Sequence, residues 1–120
     1  MTGVQTCALP ICQELMSVLT QYKSAGISRV LALRGDPPSG PQGEWISTPE
    51  GIDHADELVR IAAEMGFDVG VAAFPNGHPA SKDRSEDINT LKQKVNAGAR
   101  FAISQFFFEV SSWQKFMDEV

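Results

Sequence analysis

Arg29-Val30-Leu31-Ala32-Leu33-Arg34-Gly35-Asp36-Pro37-Pro38 reads as a strand that runs directly into a loop. Four apolar residues stand between two arginines without alternation, the pattern of a parallel strand covered on both faces. The Gly-Asp-Pro-Pro stretch that follows can continue neither a helix nor a ladder. Upstream, from Gln13 to Lys23, Leu15, Met16, Val18, Leu19 and Tyr22 recur at helical spacing, and Gly26 ends that helix.

Downstream the same alternation returns twice. Between Gly35 and Gly51 lie four of the seven prolines and four of the ten glycines, which makes this stretch a long loop. Thr48 before Pro49 resembles a helix N-cap, and Ile52, Ala55, Leu58, Val59, Ala62 and Met65 form a helical stripe closed by Gly66. Phe67 to Phe74 reads as a second strand, with the loop Pro75-Asn76-Gly77-His78-Pro79 after it. Ile88, Leu91 and Val95 mark a helix ending at Gly98. Phe101 to Phe107 is a third strand, and Ser112 to Val120 a last helix.

Three strands, each followed by a helix, imply right-handed parallel crossovers and an α/β fold. A doubly wound sheet and a (β/α)8 barrel share this local pattern. A complete barrel needs about 250 residues, so 120 residues hold only part of one. Both architectures place ligands at the carboxyl ends of the strands.

Composition narrows the function classes. Ten Lys and Arg against fifteen Asp and Glu give a net charge of -5, which disfavours a nucleic-acid partner because phosphate backbones demand clustered positive charge. The longest apolar runs fall far short of the roughly 20 residues of a spanning helix, and no charged segment precedes an apolar one as in a secretory leader. The expectation is a cytoplasmic protein with no membrane partner. Cys7 and Cys12 lack a second pair at metal-ligand spacing, so no metal site is expected. Thr2-Gly3-Val4-Gln5-Thr6-Cys7-Ala8-Leu9-Pro10-Ile11 looks like a translated sequencing-library adapter. Residues 1–12 are accordingly set apart as a non-native segment and residues 13–120 read as the folded part.

The residues after the strands are the first suspects for chemistry: Arg34, Gly35 and Asp36, then His78, then Gln105. Arg34-Gly35-Asp36 is either a tight turn with a solvated ion pair or a close backbone approach to a ligand. A glutamine among Phe101, Ile103, Phe106 and Phe107 must face a cavity with partners or cap the strand end, since burial unpaired is costly. Its amide both donates and accepts, which suits a heterocycle. Asp87, Lys92 and Lys94 read, by periodicity alone, as a solvated helix face. No GxGxxG, Walker loop, CxxC pair or GxSxG elbow is present.

Four ordered motifs together carry a resemblance: Leu31 to Pro38; Val71-Ala72-Ala73-Phe74-Pro75 with His78-Pro79; Leu91-Lys92 and Lys94-Val95 with Ala97-Gly98-Ala99; and Ala102-Ile103-Ser104-Gln105-Phe106-Phe107-Phe108. Across Gln13 to Val120 the chain resembles the methylenetetrahydrofolate reductase family in its bacterial single-domain form. The resemblance implies a partial (β/α)8 barrel of about three consecutive βα units, family strands four to six. It implies FAD as cofactor, NAD(P)H as co-substrate, and reduction of 5,10-methylenetetrahydrofolate to 5-methyltetrahydrofolate in one-carbon and methionine metabolism. The parent protein is expected to form a homo-oligomer, and this stretch alone is expected to be inactive and marginally stable, with open barrel edges.

Carried over by position, the resemblance has Arg34, Gly35 and Asp36 contact the flavin, with Asp36 also reaching the folate pterin. Ala55, Phe74 and His78 line the FAD site; Asp87, Thr90 and Lys94 hold its ribose and phosphate portion; Gln105 binds the pterin. Asp36 and Gln105 are thus the catalytic candidates, while the family's general-acid glutamate belongs to a first strand outside this sequence. Phe74 stands where a tyrosine is common, Thr90 and Gln93 replace an asparagine and an arginine of some members, and Asn76 and Ala80 stand where acidic residues are frequent. Two other readings remain open: a small non-catalytic flavin- or nucleotide-binding module, and a barrel lyase using Asp36 and His78 as acid and base.

Overall fold

The computed structural model describes residues 12–35, 39–40, 43–44, 55–79 and 81–120. Met1 to Ile11, Asp36, the Thr48-Pro49 cap and Ala80 lie outside the described residues. Among the described residues four helices and three strands alternate: α1 (Cys12–Ser24), β1 (Arg29–Ala32), α2 (Ala55–Glu64), β2 (Asp68–Ala73), α3 (Arg84–Asn96), β3 (Phe101–Ser104) and α4 (Val110–Glu119). The strands form one parallel sheet in the order β1-β2-β3. Sheet order follows chain order without reversal, as in one arc of a (β/α) barrel and equally in one half of a doubly wound sheet.

Each of the first three helices hands the chain to its strand in the same way. At Gly66 the backbone takes a φ of 89°, which a side chain would resist, and this lets the Phe67 amide reach back to the Ala62 carbonyl at 3.1 Å. The same left-handed turn occurs at Gly26 and Gly98. The three glycines read as helix stops are therefore the joints that aim each helix C-terminus at the start of a strand. Two strands are shorter than the apolar runs suggested: β1 stops at Ala32 and β3 at Ser104. The last helix starts two residues early, at Val110.

Alternation along the strands sorts the side chains onto two faces. Val30 and Ala32 of β1, with Val69, Val71 and Ala73 of β2, lie against the helices and join Leu15, Leu19, Leu58, Val59, Ala62, Leu91 and Phe116 in one core. Val59, Ala62 and Val69 are wholly excluded from solvent. Each buried valine contributes about 1.5–3 kcal/mol and the alanine methyl about 0.8 kcal/mol.

The other face corrects the expectation that β1 is covered on both sides. Leu31 is only partly buried there, and Ile103, on the same side of β3, is 40% exposed. Gly70 owes its burial to the ring of its register partner Phe101, for a β-carbon added at Gly70 would come within 2.2 Å of it. The helical stripes are also narrower than predicted: Met16 and Val95 are exposed.

Candidate functional site

The loop after β2 brings Phe74 and His78 together. Pro75-Asn76-Gly77 turns the chain back, closed by the Gly77 amide donating to the Phe74 carbonyl at 3.0 Å, with Gly77 at φ 90°. The His78 ring then meets the Phe74 ring edge-on, centroids 4.6 Å apart at 88°. The His78 amide donates to Asp87 Oδ2 at 3.1 Å, and the Ser81 hydroxyl donates to Asp87 Oδ1. Asp87 thus ties the loop to α3 with both carboxylate oxygens.

Helix α3 starts where a capping box dictates. Asp83 is the N-cap and accepts from the Glu86 amide at 2.9 Å, while the Glu86 carboxylate reaches back to the Lys82 amide at 2.7 Å. Hydrogen bonds from the Ser85 hydroxyl and then the Glu86 amide hold the Asp83 carboxyl below its ordinary pKa. From that start, Asp87, Thr90 and Lys94 fall three and four residues apart and share one flank of the helix. Asp87 and Lys94 are half-buried, which corrects their reading as a solvated face; Lys92 is exposed as read, and so is Thr90.

Lys94 is the most perturbed cation of the site. Burial lowers its pKa first, and the nearby Arg34 guanidinium lowers it further, against the opposing pull of Asp56 and Asp87. The end of β1, the first turn of α2 and the flank of α3 therefore converge on this ammonium. Asp56 was not among the residues singled out from sequence; as one of two acids in a helix first turn it carries no distinctive signal.

The remaining candidates are spread along the strand ends. Arg34 and Gly35 follow β1, and Ala55 is a buried first residue of α2. Gln105 sits just past β3, its backbone N–H donating to the Ala73 carbonyl at 2.9 Å while its side chain is exposed. It stands beyond the strand rather than within it. Phe74 and Gln105 are thus neighbours one step beyond the last paired residues, Ala73 and Ser104. Asp36 lies outside the described residues, so its position relative to this group is not part of the geometry.

Between the β2 loop and the start of α3 lies an open cavity of about 320 Å³, lined by His78, Ser81, Arg84 and Asp87 among others. Ser81 and Arg84 went unnoticed in the sequence. The Asp83-to-Glu86 capping box was a local signal that would have placed both at a helix N-terminus. Among the described residues no three His, Cys, Asp or Glu side chains cluster as a metal site would require. No helix among them is long and apolar enough to cross a membrane.

The sequence matches the family described as "Methylenetetrahydrofolate reductase" over residues 2–120. The chain belongs to the methylenetetrahydrofolate reductase family. It is 41% identical over 114 residues to the 5,10-methylenetetrahydrofolate reductase of Escherichia coli (strain K12), covering 94% of this chain and 36% of that protein. It is 38% identical over 115 residues to the enzyme of the same name from Pectobacterium carotovorum, with the same coverage of each. A probable methylenetetrahydrofolate reductase (NADH) of Oryza sativa is 37% identical over 126 residues, which cover 95% of this chain and 21% of that protein. The chain thus spans about a third of the length of the bacterial relatives it matches. For the methylenetetrahydrofolate reductase family, the parallel sheet in chain order is what a barrel arc requires.

Proposed function

We propose that this chain is the part of an NAD(P)H-dependent methylenetetrahydrofolate reductase that carries one flank of its FAD site and part of its pterin site. The observation that carries the reading is Lys94: a half-buried ammonium pressed by Arg34, beside a carboxylate-anchored loop at the strand ends. A half-buried ammonium with a guanidinium nearby offers positively charged donors to an anionic, oxygen-rich group. The donor set fits a flavin dinucleotide, whose diphosphate presents such oxygens.

In this reading Lys94 and Arg34 offset the diphosphate charge, while Asp87 holds the His78 loop against α3. Thr90, on the same flank as Asp87 and Lys94, offers a hydroxyl to the ribose portion. Phe74 and His78 present ring surface, Gly35 admits close backbone approach, and Ala55 leaves space. Gln105 offers its amide to the pterin. Asp36 supplies a carboxylate that stabilises positive charge on the folate as its methylene bridge opens. Bound FAD would supply the hydride-transfer chemistry between the nicotinamide nucleotide and the folate.

Titration with FAD, followed by flavin fluorescence, tests the proposal in this chain and in the whole reductase to which it is assigned. Lys94→Met is expected to weaken FAD binding about tenfold, the scale of one charge-assisted contact. The pH dependence has a definite sign. The folded pKa of Lys94 lies below its ordinary 10.5, so affinity falls as pH rises through that lowered value. Stability moves the other way: the cost of keeping Lys94 charged is fully present at neutral pH and is relieved as pH climbs toward 10.5. Lys94→Met should flatten both profiles. FAD affinity indifferent to both pH and this substitution would remove the basis of the assignment.

A further inference from the structure

We propose that Arg84 is a positioning residue for the cofactor loop: its guanidinium fastens the turn after β2 to α4, so that the docking of α4 sets where Phe74 and His78 stand. The inference rests on the FAD reading above for its functional meaning, but its geometry stands without it.

Nothing local favours an arginine at this position. Arg84 is the first residue of α3, and a cation in the first turn of a helix opposes the helix dipole. Its partners are all remote in sequence. Nη1 donates to the Pro75 carbonyl at 2.8 Å, and Nε is paired with the Glu119 carboxylate at the end of α4. Pro75 itself is fully buried. Nη2 is enclosed without a hydrogen-bond partner among the described residues, so the side chain is held there despite leaving one donor unsatisfied.

A guanidinium is a rigid planar fork, and two bonds made from different nitrogens fix its plane as well as its place. The Pro75 carbonyl lies between Phe74, whose carbonyl closes the turn, and Gly77 and His78, which complete it. Holding that carbonyl sets the direction in which the chain leaves β2. On its far side α4 docks through Phe116, buried in the core, and Trp113, stacked on Phe107 with centroids 5.3 Å apart. Arg84 thus joins the loop to a helix that otherwise makes its attachments elsewhere. Asp87 performs the matching task from α3, so the loop is held from two helices at once.

The test is amide hydrogen exchange of the ligand-free 120-residue chain, followed by FAD titration of the same variants. Arg84→Met is expected to raise exchange at Gly77, His78 and Ser81 at least tenfold while the β2 amides of Val69 and Val71 stay protected. Glu119→Gln should raise the same loop amides by less, and the double variant by no more than Arg84→Met alone. Arg84→Lys should fail to rescue, because a single ammonium cannot make the forked pair. FAD affinity should fall several-fold in parallel with loop exchange.

Unchanged loop exchange in both single variants overturns the proposal, as does a uniform rise that includes β2, which would mark a general stability role. Full rescue by lysine, or loosened loop amides with unaltered FAD affinity, overturns it too. If Arg84→Met does not fold, Glu119→Gln alone decides. A wild-type chain that shows the exchange pattern but binds no FAD, alone or in the whole reductase, supports the bracket and refutes the flavin reading.

Discussion

The two faces of the three-stranded sheet are built from similar residues and have opposite fates. Toward the helices, Val69, Val71 and Ala73 of β2 are sealed beneath α2 and α3. On the reverse, Leu31, Ala72 and Ile103 are aliphatic as well, yet none is fully buried. Beyond the sheet, Phe106 and Phe108 stand 91% and 96% exposed. Hydrophobicity alone therefore does not tell which strand face becomes core. What distinguishes them is that each crossover lays its helix on the same side, leaving the other for elements that close the arc.

The comparison can be broken most forcefully at its buried side. Val69→Ala should cost about 2 kcal/mol, the transfer free energy of the lost methyls plus an uncollapsed cavity, and chemical denaturation would read it directly. A loss below about 0.5 kcal/mol would mean that the helix-covered face is not close-packed. Gly70→Ala comes next and lies on the open face. Its new methyl must displace the Phe101 ring, at an expected cost of about 1–2 kcal/mol, which Phe101→Ala in the same chain should largely remove. Additive losses would show that the ring does not rest on Gly70.

Ile103→Thr should have the smallest effect, within about 0.5 kcal/mol, because the side chain already meets water. Its informative readout is light scattering: reduced self-association at unchanged stability would show that the open apolar face drives the isolated chain to aggregate. Unchanged scattering would move that role to the exposed phenylalanines after β3.

The two ends of the sheet differ as well. At the N-terminal end Asp68 pairs with Arg29 at 3.3 Å and Arg100 at 3.4 Å, both arginines being largely solvent-exposed. Such surface pairs contribute little, typically below about 1 kcal/mol. At the carboxyl end Asp56, Asp87 and Lys94 are partly buried, and the two carboxylates and the exposed Arg34 act on the Lys94 ammonium from three parts of the chain. The same residue types are solvated at one end and partly withdrawn from water at the other, where the proposed cofactor site lies.

Much of this was legible in the residues themselves. Helix periodicity, the stops at Gly26, Gly66 and Gly98, and the unbroken apolar runs act over a few residues, so the element order and the α/β class followed from local stereochemistry. The motifs at the strand ends placed the chain in its family before any geometry was known. The capping box at Asp83 was equally local and marks where α3 begins. Three things depended on partners distant in sequence and were decided only by the tertiary structure. Strand β3 stops at Ser104 because its partner β2 ends at Ala73, whereas β1 leaves the sheet at Ala32, opposite Val71, while β2 runs on. One sheet face stays open because the helices all pack on the other. Asp87 leaves the solvated face because the loop after β2 bonds to both its carboxylate oxygens, and Lys94, about two turns further along the same flank, is half-buried with it. Periodicity can mark a helix flank, but its burial is set by what the rest of the chain lays against it.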